Sequence, residues 1–270
     1  VGQLAIGCSL NESRDPGTIY AMASAGADVV FIDQEHNLRN SETVFDLVAH
    51  AHGAGITPLV RPPHIDYAWI TRLLDAGCQS LLIPHVRQPS EVRDLLELAH
   101  YHPQGRRGVA IVGGANVNYQ AIDDPVEAMR QANDNLLLSL VIETPEAVDS
   151  LDELLVPGIG MALVGNGDLA QLYGVPGTTN HRLVVEAQEQ VRKMCAEKGI
   201  AYGVFQPDPN AITDEIAQGA QFIVHGGVLL FIRQAVRHFR ETANKAALES
   251  RGAGVPDTVL PISQATLRSS

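Results

Sequence analysis

Eight times along this 270-residue chain a short apolar run gives way to a longer amphipathic segment, and that alternation constrains the fold more than anything else in the sequence. The strand-like runs are Gln3–Leu10, Asp28–Glu35, Ile56–Pro62, Ser80–Val86, Leu136–Thr144, Gly158–Asn166, Ile200–Gln206 and Ala220–Gly227. Most are too continuously apolar for a strand with one wet face, which marks parallel strands buried on both sides. Helix starts are expected at Asp15-Pro16, Asn40-Ser41, Asp66, Gln88-Pro89, Thr144-Pro145, Asn180, Asp208-Pro209 and Gly226-Gly227, where capping side chains or early prolines suit a first turn. Parallel crossovers of one hand curl a sheet onto itself, so the pattern predicts a closed (β/α)8 TIM barrel rather than an open sheet.

One barrel domain is expected over residues 1–248, with 249–270 as a C-terminal extension lacking sustained periodicity. The long connection Tyr101–Asp123, rich in Gly, Asn and Arg, reads as a functional lid or an interface near the barrel mouth or rim. Hydrophobic residues at 45% supply ample material for a core, and no apolar run is long enough to span a bilayer. A net charge of -12 argues against nucleic acid as a partner, because that affinity rests on clustered Lys and Arg. Cys8, Cys78 and Cys195 have no metal-ligand spacing and read as reduced structural thiols. With no visible secretory signal, a cytoplasmic protein is expected.

In this fold the active site lies where the strands end, so strand-end residues are candidates without any motif. They are unusually polar: Asp33, Glu35 and His36 on the second strand, Arg61 on the third, His85 on the fourth, Glu143 on the fifth, Asp168 on the sixth, Gln206 on the seventh and His225 on the eighth. Glu143 and Asp168 end adjacent strands, and two like charges so close need a cation or a shared proton. Oxygen ligands favour a hard divalent ion, Mg2+ or Mn2+, with Co2+ also admissible. The competing reading is that one carboxylate caps the next helix and the other is solvated. Gly165-Asn166-Gly167-Asp168-Leu169-Ala170 fits the dinucleotide pattern G-x-G-x-x-A, but that pattern belongs to the first strand of an open sheet. Here its backbone N–H groups suit a substrate carboxylate better.

The lysines are Lys193, Lys198 and Lys245, all in helical stretches, so a Schiff-base mechanism has no lysine at the mouth and a metal must supply the electron sink. Asp33 is placed to orient His36 for proton transfer, and Arg61 to stabilise an enolate oxygen. His50, His52, His100, His102, His181 and His238 lie in helices or loops and are not expected to have a chemical role.

These segments resemble a known family, the metal-dependent pyruvate aldolases of the HpcH/HpaI group, to which macrophomate synthase is related. The resemblance runs from about Gly7 to Phe239. It rests on Ile32-Asp33-Gln34-Glu35-His36, Val60-Arg61-Pro62, Leu73-Leu74-Asp75-Ala76-Gly77, Ile83-Pro84-His85-Val86, Gly105-Arg106-Arg107-Gly108-Val109, Ile142-Glu143-Thr144 and Gly165-Asn166-Gly167-Asp168-Leu169. It implies a lyase acting on a 2-keto acid and an aldehyde, with Glu143 and Asp168 as metal ligands, Arg61 near the keto oxygen, and Asp33 with His36 as the proton-transfer pair. Gly165, Gly167 and Asp168 would offer backbone donors to the substrate carboxylate. Asp75 would reach a neighbouring subunit's site in a homo-oligomer, a trimer or a hexamer with exchanged C-terminal helices. Two departures bear on substrate rather than reaction class. Val141 stands where the bacterial aldolases carry Gln, and His85 looks like the macrophomate-synthase side, where decarboxylation of an oxaloacetate-type substrate makes the enolate. That decarboxylating chemistry and a catalytically silent binding barrel are the rival readings.

Overall fold

A computed structural model describes residues 4–252 of the chain. Eight parallel strands close into a barrel in sequence order: β1 (Ala5–Ser9), β2 (Val29–Asp33), β3 (Thr57–Arg61), β4 (Ser80–Ile83), β5 (Leu137–Ile142), β6 (Ile159–Val164), β7 (Ala201–Phe205) and β8 (Phe222–Gly227). Each lies inside its expected run, and β8 pairs with β1 to close the ring. The helices are α1 (Pro16–Ser24), α2 (Ser41–Gly53), α3 (Tyr67–Asp75), α4 (Pro89–Ala99), α5 (Pro125–Asp134), α6 (Pro145–Asp149), α7 (Leu151–Leu154), α8 (Asn166–Leu172), α9 (Arg182–Lys198), α10 (Ile212–Ala217) and α11 (Val228–Gly252). The chain divides into two compact units, Val1–Val228 and Leu229–Ser270. Within the second unit α11 runs past Leu248 to Gly252; the rest of the expected extension, 253–270, lies outside the described residues, as does Gln3.

Local chemistry accounts for the helix starts. Asp15, Asn40, Asp66 and Thr144 each accept first-turn backbone N–H groups, and Gln88 with Glu91 forms a reciprocal capping box. Helix α9 starts at Arg182 with His181 as its cap, two residues after the expected Asn180, and the short α8 precedes it. The barrel interior is filled by Phe31, Leu59, Leu82, Val141, Met161, Leu163, Phe222 and Val224, alternate residues of the strands that carry them. Truncating one of these to alanine costs about 2–5 kcal/mol in a core of this kind. No helix among the described residues is long and apolar enough to cross a membrane.

The long connection lies elsewhere than expected. Arg107 stacks on the buried Tyr101 ring at 4.5 Å and pairs with Asp75 at 2.7 Å, at the C-terminal end of α3. Asn133 of α5 bonds both the N–H and the C=O of Tyr101. A helix that follows a strand returns toward the strands' starting edge, so these ties anchor the segment at the end of the barrel away from the mouth. The sequence places it at the mouth or rim because its composition carries no sign of these partners.

Candidate active site

Register fixes the first element of the site. Asp33 and Arg61 are partners on one rung of β2 and β3, so their side chains leave the barrel edge together. Arg61 Nε and Nη2 donate to the two Asp33 carboxylate oxygens at 2.8 and 2.9 Å, and Nη1 stands 2.8 Å from Glu35 Oε2. Burial works to raise the Asp33 pKa, but the hydrogen bond and charge of Arg61 outweigh it and hold the carboxyl below its usual value. For Arg61 burial works downward, and the Asp33 bond, aided by Glu35 and Glu143, leaves the guanidinium more firmly protonated than usual. Its charge is therefore a fixed feature of the site.

Asp33 serves Arg61, the N–H of Glu35 and the amide of Asn37, and it is not the acid beside His36. That acid is Glu35, whose Oε2 is 3.7 Å from His36 Nε2, while the His36 side chain is 62% exposed. Glu35 also meets His85 Nε2 at 2.9 Å, so it joins three strand ends. Both Glu35 and His36 lie past the end of β2 at Asp33, so strand alternation does not tell them apart, and the sequence carries no signal for the pairing.

Glu143, at the end of β5, is 2% exposed. Its Oε1 accepts the His85 N–H at 2.7 Å, and His85 Nδ1 lies 3.6 Å from the same oxygen. His85 adopts a left-handed backbone (φ 52°), uncommon for a residue with a side chain, and it points this N–H at the carboxylate. The pKa of Glu143 is raised, first by burial and further by Glu35 and Asp168, against the lowering effect of the His85 contacts. The helix after β5 is capped by Thr144, which leaves Glu143 free of that task.

Space for Glu143 comes from Gly165. A methyl group there would lie 2.5 Å from Glu143 Cβ and 2.7 Å from its Oε2. Gly165, Gly167 and Asp168 form the β6–α8 junction, and they share with Arg61, His36 and Glu143 one cavity of about 550 Å³. Val141, Val164 and Phe205 give it an apolar wall, and Gln206 and Thr179 also border it. Thr179, Val164 and Phe205 were not singled out in the sequence; the strand positions of the latter two were the available signal. Gln206 is turned toward Glu215 at 2.8 Å, and His225 stands 3.4 Å from the Gln206 carbonyl oxygen, outside the cavity lining.

Asp75 is not at this cavity. It holds Arg107 and borders a groove of about 650 Å³ between α2 and α3. Cys78 and Cys195 are buried, and burial pushes both thiols up to about 12, so they are inert at neutral pH.

Comparison with known proteins identifies the family of the chain. The model of the HpcH/HpaI aldolase/citrate lyase family matches residues 11–232. The hydroxypyruvate/pyruvate aldolase of Roseovarius nubinhibens is 32% identical over 237 residues, covering 87% of this chain and 91% of the relative. The 4-hydroxy-2-oxo-heptane-1,7-dioate aldolase of Escherichia coli is 32% identical over 206 residues, 76% of this chain and 78% of the relative. The crystal structure of an HpcH/HpaI aldolase from Desulfitobacterium hafniense superposes with a TM-score of 0.85 at 28% identity, covering 96% of each chain.

Proposed function

Since the chain belongs to the HpcH/HpaI aldolase/citrate lyase family, we propose that it is a divalent-metal-dependent pyruvate aldolase, with Glu143 and Asp168 as the protein's metal ligands. The observation that carries this reading is the setting of Glu143: a buried carboxylate whose pKa is raised by burial and by the negative charges of Glu35 and Asp168. A cation relieves that combination. The residues fit one, because Gly165 leaves the carboxylate room and Asp168 borders the same cavity. An all-oxygen pair suits Mg2+ or Mn2+, with Co2+ admissible. When bound there, the ion supplies Lewis acidity toward the carboxylate and keto oxygens of a 2-keto acid.

The remaining work falls to side chains. Arg61 donates two N–H groups to Asp33 and pairs in charge with Glu35, which aims the guanidinium at the cavity and leaves further N–H groups for the keto oxygen. Negative charge develops on that oxygen as the bond between carbons 3 and 4 breaks, and a pre-aimed cation stabilises it without reorganising. His36 takes the proton from the 4-hydroxyl as the aldehyde forms, and the electron pair of the broken bond becomes the enolate of pyruvate. Protonation at carbon 3 completes release, and the reverse sequence makes the bond. Glu35, not Asp33, steadies His36. Backbone N–H groups of Asn166, Gly167 and Asp168, in the first turn of α8, serve the substrate carboxylate; that of Gly165, expected to join them, is spent on the Ile142 carbonyl at 3.0 Å.

The substrates are 4-hydroxy-2-keto acids built from pyruvate or hydroxypyruvate and an aldehyde, the chemistry carried in the relatives' names. We further propose a homo-oligomer in which Asp75 approaches a neighbour's mouth. The test is pyruvate release from a panel of such acids by metal-stripped protein, with Mg2+ or Mn2+ restored. EDTA should abolish turnover, the ions should recover it, and borohydride with pyruvate should trap nothing. A trapped lysine adduct, or full activity without metal, overturns the proposal.

A further inference from the structure

Glu143 stands between two sets of partners. Its Oε1 is turned toward His85 at the end of β4, while the space beside Gly165, at the end of β6, lies next to its Oε2. On the β4 side, one ligand atom each from Glu35, His85 and Glu143 lies within 4.8 Å of the others. Ligand atoms around one ion, each about 2.0–2.2 Å from it, are at most about 4 Å apart. The trio therefore stands within about 1 Å of the spacing of ligands that share one ion, and His85, at 45% side-chain exposure, has room to turn.

We propose that Glu35, His85 and Glu143 form a second divalent-cation position, bridged by the Glu143 carboxylate to the Glu143–Asp168 position on which the aldolase reading rests. The imidazole sets the selectivity. An all-oxygen pair suits Mg2+, whereas two carboxylates and one nitrogen favour Co2+ or Zn2+. The second position thus fills with such ions and stays vacant in Mg2+ alone.

Metal-stripped protein is dialysed against Co2+, its metal content measured by elemental analysis and its visible absorption recorded. Wild type should hold two Co2+ per chain. His85→Asn should hold one, with the weak absorption of a six-coordinate all-oxygen ion; asparagine tolerates the left-handed backbone, so the fold is retained. Glu35→Gln, which leaves the His85 backbone untouched, should also hold one. Asp168→Ala should hold one and keep the nitrogen-ligated spectrum. The inference is overturned by a single Co2+ in wild type, or by two that neither His85→Asn nor Glu35→Gln alters. A single Co2+ lost in Asp168→Ala and kept in His85→Asn removes this inference and leaves the aldolase reading standing. Co2+ binding indifferent to Asp168→Ala removes that reading instead.

Discussion

Replacing Gly165 by alanine tests how the site is assembled. Gly165 has φ −90°, so its backbone does not demand glycine, and any effect comes from the added methyl group. That methyl would lie 2.5 Å from Glu143 Cβ and 3.2 Å from Val141 Cγ1, where carbon atoms prefer about 3.5–4.0 Å. The first contact is with an atom fixed to the backbone of β5, so rotating the Glu143 carboxylate away does not relieve it. The ends of β5 and β6 must part by about 1 Å, an overpacking that costs about 1–3 kcal/mol. For a chain this size the corresponding fall in Tm is roughly 2–10 °C. The same displacement moves Glu143 relative to Arg61, and an error of about 1 Å in a reacting constellation costs about 100-fold in rate. Gly167 is the control: a methyl there meets nothing within 4 Å, so Gly167→Ala should fold at least as stably. Scanning calorimetry and Mn2+ titration of both variants decide the matter. A Gly165→Ala protein with wild-type Tm and Mn2+ affinity refutes the reasoning.

Other expectations follow from the same geometry. Because the folded-state pKa of Glu143 is raised, its contribution to stability is present below the ordinary carboxylate value and is lost as pH rises through the raised one. Metal-stripped Glu143→Gln should therefore be more stable than wild type at neutral pH, with the gap closing as pH falls into the ordinary carboxylate range; a gap independent of pH in EDTA-containing melts contradicts this. His36→Ala should keep Mn2+ affinity and lose about 100- to 10,000-fold in kcat, and unaltered turnover would move the proton transfer to another group. Mixing Asp75→Asn with Glu143→Ala should restore activity above either variant alone if Asp75 completes a neighbour's site; subunit exchange shown by labelling without recovery would exclude that role.

The barrel and most of the strand-end set are legible in the sequence, because period-two and continuous apolar runs determine which residues end each strand. Partner assignment is less so. Asp33 and His36 are close in sequence, which suggests a pair, but strand register places Arg61 opposite Asp33, and the acid near His36 is Glu35. The Glu35–His85 contact joins β2 to β4 across an intervening strand, and no spacing within either segment encodes it. The left-handed backbone of His85 is equally silent, since residues other than glycine rarely advertise it. Helix α5 has no counterpart among the eight expected helix starts and lies between the Tyr101–Asp123 connection and β5, although Asp124-Pro125 is a serviceable helix start.

The shared rung of Asp33 and Arg61 separates two kinds of change. The guanidinium is aimed by strand pairing, whereas Thr179 and Gln206 approach the same cavity from segments outside the strands. Under the proposed aldolase reading, exchange of residues in those loops would alter which aldehyde is admitted while the guanidinium assigned to the keto oxygen keeps its alignment. Substrate range in such a barrel is free to drift at one rim of the mouth without placing the bond-breaking step at risk.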